Sequence, residues 1–534
     1  MTLIQAILLG GIYWLWVNEI GSGFNYAFFC YPVTASLWYG LILGDVKTAL
    51  FVGATIAPLF LGYVYAGAIV PTDRAAAGVI SAAAVIAYGM DVNIALALAM
   101  PVGLLMAQLH IVKRTVGSWY IRRLEKVIDT EGGNTKKIYL NAVLIPSLVK
   151  ILMFWVPMTL IVYFALGSIT QIFDNIPQWL MSGLTAVGKV MPALGMGLLL
   201  GLIGEKKLFP FFLVGFFIAA YTGLGNVALV MIGLFLAWLF VQFSRNSNNN
   251  EIEVVEDDDE PEIRSTLGKK DIFWAYVRWM SFNETASSYE RHMGPGVLLS
   301  FLAPLKRLYK DRPDELKDAL QRHLNFFNTE QFWGACVPGI ALAMEEQKAL
   351  GAPITGEAIE SVKASLMGPF AGIGDTIMGG TFNPLVQLFF IPYALQGHWW
   401  AAALPMIIIT GTYFVVGMYS YRIGYRTGTR AAARILSSGT LKTIMTFLAV
   451  LGLFMIGAMS FGLVNVTTPV VFGVGEGAKA LQATLDSLIP GLLSLLAVLF
   501  VYFFLQKFGR KAVNQVMLIL LVVSLALGAI GFIG

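Results

Sequence analysis

Charge is scarce in this chain. Of its 534 residues only 13% are charged and 57% are hydrophobic, where an average soluble domain carries roughly 25% charged residues. Length alone would divide such a chain into about three or four soluble domains. The mean hydropathy of +0.72 leaves too little polar surface to coat them, so the composition points to bundles of membrane helices. Histidine is scarce as well. The four histidines, His110, His292, His323 and His398, stand without a partnered Cys or Ser, and no H-E-x-x-H occurs. This gives no catalytic constellation and no phosphate-carrying residue. Of the two cysteines, Cys30 and Cys336, each lies inside an apolar run. They provide neither a metal spacing nor a disulfide framework and read as small buried apolar residues. The net charge of +4 comes without a basic stripe interleaved with aromatics, which excludes nucleic acid. No cofactor or metal is expected. The N-terminus has no basic region and no small-residue cleavage site, so Leu3 to Val17 is expected to stay as structure.

Long apolar stretches take the place of what is missing. In the first half they fall near 3–17, 25–44, 48–70, 75–89, 92–111, 139–169, 180–204 and 208–243, and in the second near 332–344, 366–395, 400–421, 443–465, 487–506 and 513–533. Several are shorter than the roughly 20 residues that span a bilayer core. Several are broken by Gly or by a proline such as Pro32, Pro58, Pro71, Pro101, Pro146, Pro157, Pro192 or Pro210. The fold expected is an all-α, polytopic integral membrane protein with broken and re-entrant helices, the usual form of binding sites at membrane depth. Lys113, Arg114, Arg122, Arg123, Lys126, Lys136 and Lys137 cluster between His110 and Lys137. That cluster is read as a cytoplasmic loop by the positive-inside rule.

One polar segment divides the chain. The sequence predicts a membrane module over 1–244, an acidic disordered linker over 245–269 that holds an Asn/Ser run, an acidic run and Pro261, and a second module over 270–534. A linker of this composition cannot bury apolar surface; the alternative is an acidic docking site. The second module opens with amphipathic helices outside the hydrocarbon. Asp311 can cap one that begins at Pro313. Leu316, Ala319, Leu320, Leu324 and Phe327 recur on one face, with Asp318 and Arg322 paired on the other. His323 is then an interface residue. Asn328, with Gln331 three residues on, fits the cap of a more apolar helix. Glu345, Glu346 and Gln347 either end that helix in water or line a polar cavity.

The segment from Gly368 to Pro384 carries the most information. It places five glycines and two prolines around Asp375. Glycines let a backbone approach a ligand closely, and an ionisable residue at membrane depth is a functional hypothesis by default. A water-exposed loop is the bland alternative. No Gly-Lys-Ser/Thr closes the segment into a phosphate cradle, and Gly473 to Lys479, which also lacks the final Ser/Thr, reads as a flexible loop.

Residues 40–80 and 188–221 resemble the IIC subunit of mannose/fructose/sorbose-family sugar phosphotransferase systems. Residues 320–347 and 365–384 resemble the IID subunit, so the chain looks like a IIC–IID fusion covering about 1–244 and 270–534. The resemblance implies a membrane permease that takes a hexose or hexose derivative inward. A separate soluble IIB, carrying a phosphohistidine recharged by IIA, then phosphorylates the sugar. It also implies a multi-pass protein of the bacterial inner membrane, assembled as a homotrimer of the fused chain. Positions matching the family's site region are Gln5, Asp73, Tyr65, Asn283, Glu284, Glu290, Arg291, Asn328 and Asp375. Carboxylates and amides there would take sugar hydroxyls. The chain departs from the family pattern at Thr55-Ile56-Ala57, at Tyr65, at Cys30-Tyr31-Pro32 and at Thr376. These departures argue for a modified or different sugar, on which Tyr65 would stack. The competing reading is an ion-coupled secondary sugar transporter, which broken helices and intramembrane Asp residues also suit.

Overall fold

The computed structural model describes residues 1–62, 72–166, 177–203, 206–247, 266–428, 439–472, 479–509 and 512–533. Helix is nearly the only regular structure among them. The exception is a short antiparallel ribbon pairing Val471–Phe472 with Lys479–Ala480. Lipid offers backbone groups no partner, so segments of this composition must satisfy their N–H and C=O groups internally. Among the described residues, Val92–Glu131, Thr135–Ala165 and Trp400–Arg426 are long and apolar enough to cross a membrane. Two sharply bent pairs raise the number to five if each is one span: Ser22–Cys30 with Pro32–Leu43, bent by 71°, and Leu481–Leu488 with Leu492–Phe508, bent by 73°. The first bend falls at Tyr31, held extended at φ −86° and ψ 133°, as the residue before a proline prefers. The second falls at Gly491, whose φ of +72° suits glycine.

Several local expectations give way to longer helices. The basic stretch after His110 is helix, not loop. Tyr120, Ile121, Leu124 and Ile128 are buried at helical spacing and carry Val92–Glu131 on for 40 residues. The chain then turns at Gly132 (φ +56°), and Asn134 caps the next helix. That helix contains Pro146 and Pro157, and π-helical turns at Leu140–Leu144, Ile151–Trp155 and Ile161–Ala165 absorb the hydrogen bonds a proline cannot make. The segment around Asp375 is likewise unbroken. Helix Gly356–Gly374 widens into the π-helix Asp375–Phe382 and continues as Asn383–Leu395.

The caps differ too. The residue capping Pro313–Leu324 is Arg312, not Asp311. Asn328 caps nothing; the Glu330 carboxylate instead accepts the N–H groups of Phe332 and Trp333, at 3.0 and 2.6 Å, ahead of the helix Cys336–Ala349. Arg322 pairs with Glu345 at 2.8 Å rather than with Asp318. Glu345 also accepts His323 and the Tyr309 hydroxyl, while Glu346 clamps the backbone N–H groups of Thr266 and Leu267 and the Tyr425 hydroxyl. Both glutamates are buried structural clamps, neither a solvated helix end nor a cavity wall. Residues 248–265 of the linker and 473–478 of the second glycine-rich segment lie outside the described residues. The helix Asn226–Ser247 runs three residues into the predicted linker.

The two halves of the sequence do not own separate cores. One core joins Ala27, Leu124, Ile128 and Ile138 to Tyr276, Trp279, Val297 and Tyr421. A second joins Val33, Ala54, Phe212 and Phe216 to Leu388, Phe454 and Val498. A third joins Ile56, Phe60 and Leu194 to Val501 and Val516. The core around Tyr13, Val79 and Phe154 comes from the first half alone. Glycines bring the halves together. A Cβ at Gly215 would run into the Phe454 carbonyl oxygen, and one at Gly457 would run into that of Phe212. The helices Phe209–Thr222 and Gly439–Leu463 therefore touch backbone to backbone, the contact small residues permit in membranes.

Two outcomes are expected. Cutting the chain within 248–265 and co-expressing the pieces gives fragments that co-purify through a detergent column, because each needs the other's core. Gly457→Val forces those helices apart at an overpacking cost of about 1–3 kcal/mol. Its melting temperature falls and its size-exclusion profile broadens relative to wild type.

Candidate functional site

The halves meet around a cavity. It is open at its mouth and has a volume of about 70 Å³, a narrower space than the ~300–1,000 Å³ of most small-molecule sites. The first half contributes Tyr26, Tyr31 and Arg74. The 71° bend at Tyr31–Pro32 turns the tyrosines inward. The Arg74 guanidinium lies 4.2 Å from the centre of the Tyr31 ring and donates through Nε to Cys30 Sγ at 3.0 Å. Asp73 fixes where Arg74 stands. Fully buried, it caps the helix Arg74–Tyr88 by accepting Ala76 N–H at 3.0 Å. It also accepts the Tyr13 hydroxyl at 2.6 Å and sits 2.9 Å from His110 Nε2.

The second half supplies the rest. Glu284, His292 and Met293 come from the turn after the helix Lys269–Phe282, and Asn328 to Phe332 come from the segment after Pro313–Leu324. Asp375, Met378 and Gly379 come from the π-helix, Asn383 from its continuation, and Tyr413 from the helix Trp400–Thr427. The Phe332 and Tyr413 rings stack at 3.8 Å, and Asn383 Nδ2 donates to the Tyr413 hydroxyl. Gly374 makes room for the acidic corner, since a Cβ there would strike the Glu330 side chain.

The lining is rich in unsatisfied polar atoms. Among the described residues, His292 Nδ1 and Nε2, Thr329 Oγ1, Gln331 Oε1 and Asn383 Oδ1 are buried without a hydrogen-bond partner. Such atoms are few in folded proteins and call for an explanation where they occur. His292 also holds a φ of +42°, unusual for a side-chain-bearing residue and typical of functional sites.

A charged network braces the joint beside the cavity. Glu19 accepts Lys113 Nζ at 2.7 Å and Lys150 Nζ at 3.0 Å. Lys150 also donates to the carbonyls of Asn18 and Thr285, and Thr285 Oγ1 donates to the Glu19 carbonyl. The network thus ties the two halves together.

Of the positions singled out in the sequence, Glu284, Asn328 and Asp375 line the cavity. The others have different places. Gln5 closes a capping box with Thr2 and donates to the Ile42 carbonyl at 3.2 Å. Asp73 stands behind Arg74. Asn283 accepts the Ser22 hydroxyl at 2.8 Å. Glu290 is exposed. Arg291 braces Glu125 at 2.8 Å and Asn325 at 2.8 Å. Tyr65 lies outside the described residues. Sequence reasoning missed Arg74, Glu330 and Asn383, although Arg74 and Glu330 sit within two residues of a chosen position and Asn383 closes the glycine-rich segment around Asp375. It also missed Tyr413, which nothing in its apolar run distinguishes.

A helical membrane body with a polar cavity between two interlocked modules defines a membrane permease. Residues 266–533 match the family described as the PTS system mannose/fructose/sorbose family IID component, and residues 3–239 match the PTS system sorbose-specific IIC component. The chain belongs to the mannose/fructose/sorbose phosphotransferase-system family, with IIC and IID components in one polypeptide, and is a component of sugar uptake by that system. It is 30% identical over 277 residues to the sorbose-specific EIID component of Lacticaseibacillus casei, covering 51% of this chain and 94% of that one. It is 32% identical over 276 residues to the mannose-specific EIID component of Escherichia coli K12, covering 50% and 95%. The mannose-specific EIIC component of the same organism is 31% identical over 219 residues, covering 41% and 81%. A solved complex of the mannose transporter ManYZ with microcin E492 contains a chain that matches at 30% identity, covering 51% of this chain and all of that one, with a TM-score of 0.30.

Glu19→Gln leaves one or both buried ammonium groups short of charge, and breaking a buried pair costs about 3–5 kcal/mol. The expected result is a clear drop in melting temperature in a thermal-shift assay, larger than that of Glu290→Gln.

Proposed function

We propose that the cavity between the halves holds the transported sugar, a hexose or hexose derivative. The observation that carries this reading is the set of buried, unpartnered amide, hydroxyl and imidazole atoms on its walls. A polyol supplies both donors and acceptors and is suited to satisfying such a set. The carboxylates of Glu284, Glu330 and Asp375 accept hydroxyl protons, while Arg74, Asn328 and Asn383 donate. The Tyr31, Phe332 and Tyr413 rings wall the C–H faces. Asp73, Asn283 and Arg291 hold these groups in place. The sugar moves inward and receives its phosphate from a separate soluble IIB, itself recharged by IIA. The fused chain works in the bacterial inner membrane as a multi-pass homotrimer. The sugars that its relatives are named for, mannose, fructose and sorbose, are the first to try.

The test is uptake of labelled hexoses, amino sugars and glycated amino acids into vesicles bearing the protein, with and without phosphoenolpyruvate and the soluble phosphotransferase proteins. Accumulation of a sugar phosphate only when these are present supports the reading. Accumulation of free sugar that a proton ionophore abolishes assigns the chain to ion-coupled transport instead. In the same vesicles Glu330→Gln and Asn328→Ala weaken binding roughly ten- to a hundredfold, the range expected for lost hydrogen bonds to charged or well-placed groups. Glu290→Gln, outside the cavity, leaves binding unchanged.

A further inference from the structure

The helices Asn383–Leu395 and Trp400–Thr427 form an antiparallel hairpin joined at Gln396–Trp399. At cavity level they are linked by the bond from Asn383 Nδ2 to the Tyr413 hydroxyl. Gln387 lies four residues beyond Asn383, and Thr410 lies three residues before Tyr413. In an antiparallel hairpin both steps lead the same way, toward the Gln396–Trp399 turn, by about one helical turn of ~5.4 Å. Gln387 and Thr410 therefore share a second level, one turn past the cavity.

That level is polar where its surroundings are not. Gln387 is fully buried, and among the described residues neither its amide oxygen nor its amide nitrogen has a partner. The Thr410 hydroxyl is enclosed and unpartnered too. Leu388 and Ile391 of the same hairpin belong to an apolar core with Val33, Ala54 and Ala57 from the first half. Neither Gln387 nor Thr410 lines the cavity in this conformation. An apolar residue would fill position 387 without leaving amide atoms unsatisfied. A buried amide that is idle in one conformation is explained if a ligand reaches it in another.

We propose that Gln387 and Thr410 form a second sugar-binding tier, which the substrate passes on its path between the hairpin-turn end and the cavity. The Gln387 amide offers one donor and one acceptor, and Thr410 offers a hydroxyl that serves as either. This is the chemistry that the hydroxyls of a moving hexose require. The tier rests on the sugar-permease reading above and adds to it a second contact on the path that the sugar follows.

The test separates binding from passage. Gln387→Leu and Thr410→Val are made in the full chain. Each is measured for equilibrium binding by calorimetry in detergent and for phosphotransferase-dependent uptake in vesicles. The probe is labelled mannose, fructose or sorbose, whichever the wild-type chain accumulates. The expected result for Gln387→Leu is a binding constant within about twofold of wild type and an uptake rate lower by about tenfold or more, the pattern of an interaction made in passage and absent from the bound ground state. Thr410→Val shifts the same way by less. The melting temperature of Gln387→Leu stays at or above wild type, which excludes misfolding as the cause of slow uptake. Unchanged uptake, or binding and uptake lost in equal measure, overturns the second tier while leaving the cavity reading intact. A wild-type chain that takes up no sugar overturns both.

Discussion

In a medium without water, a polar group must find its partner inside the protein, and this chain is arranged around that constraint. Its buried carboxylates show how strictly it is met. Glu19 holds two ammonium groups, Asp73 a tyrosine hydroxyl, a backbone N–H and an imidazole, and Glu345 a guanidinium, an imidazole and a tyrosine hydroxyl. Glu346 seizes the strand of chain that enters the second half. Desolvated charges of this kind are costly unless paired with good geometry. Because Lys150 also donates to the Thr285 carbonyl and Arg291 pairs with Glu125 across the halves, satisfying such charges also sets how the halves sit together.

Against that background the unsatisfied atoms are informative. Some, such as Trp38 Nε1 and Thr159 Oγ1, lie elsewhere, but several lie on the cavity wall and one turn beyond it, where His292, Thr329, Gln331, Asn383 and Gln387 keep bonding capacity unused. The backbone departs from regular geometry in the same place, with His292 at positive φ and the helix widened to π form from Asp375. A widened turn at the cavity puts Asp375 and Met378 into the wall without ending the helix. A site that must bind a solute and release it again benefits from polar groups held ready rather than consumed by the protein.

How far the sequence foretold this depends on the scale of the signal. Composition and apolar run length announce a helical membrane protein, because both follow from the solvent. The glycine-rich segment around Asp375 marks the site, because close approach of Glu330 to the helix needs Gly374. Asn328 and Glu284 also line the cavity, Asn328 as a wall residue rather than as a cap. What fails is whatever depends on partners distant in the chain. Lys113 and Arg114 look like loop residues until Glu19, about ninety residues away, is seen to bury Lys113. Arg74 and Tyr413 meet at one cavity only because helices from opposite halves pack together. Asp311 loses its capping role to a shift of one residue, a margin at which helix ends are poorly determined by local sequence.

The shared cores bear on why the two components are joined. A half that lacks its partner exposes faces that are already buried against protein, such as Val33, Phe212 and Phe216 on one side and Leu388 and Phe454 on the other. In lipid, exposed apolar faces cost little. Lys150 beside Glu19, which loses the Thr285 carbonyl, is where separation is costly. Joining the two components in one polypeptide keeps the second half at high effective concentration beside the first, while the geometry of the cavity is set by the interlocked helices.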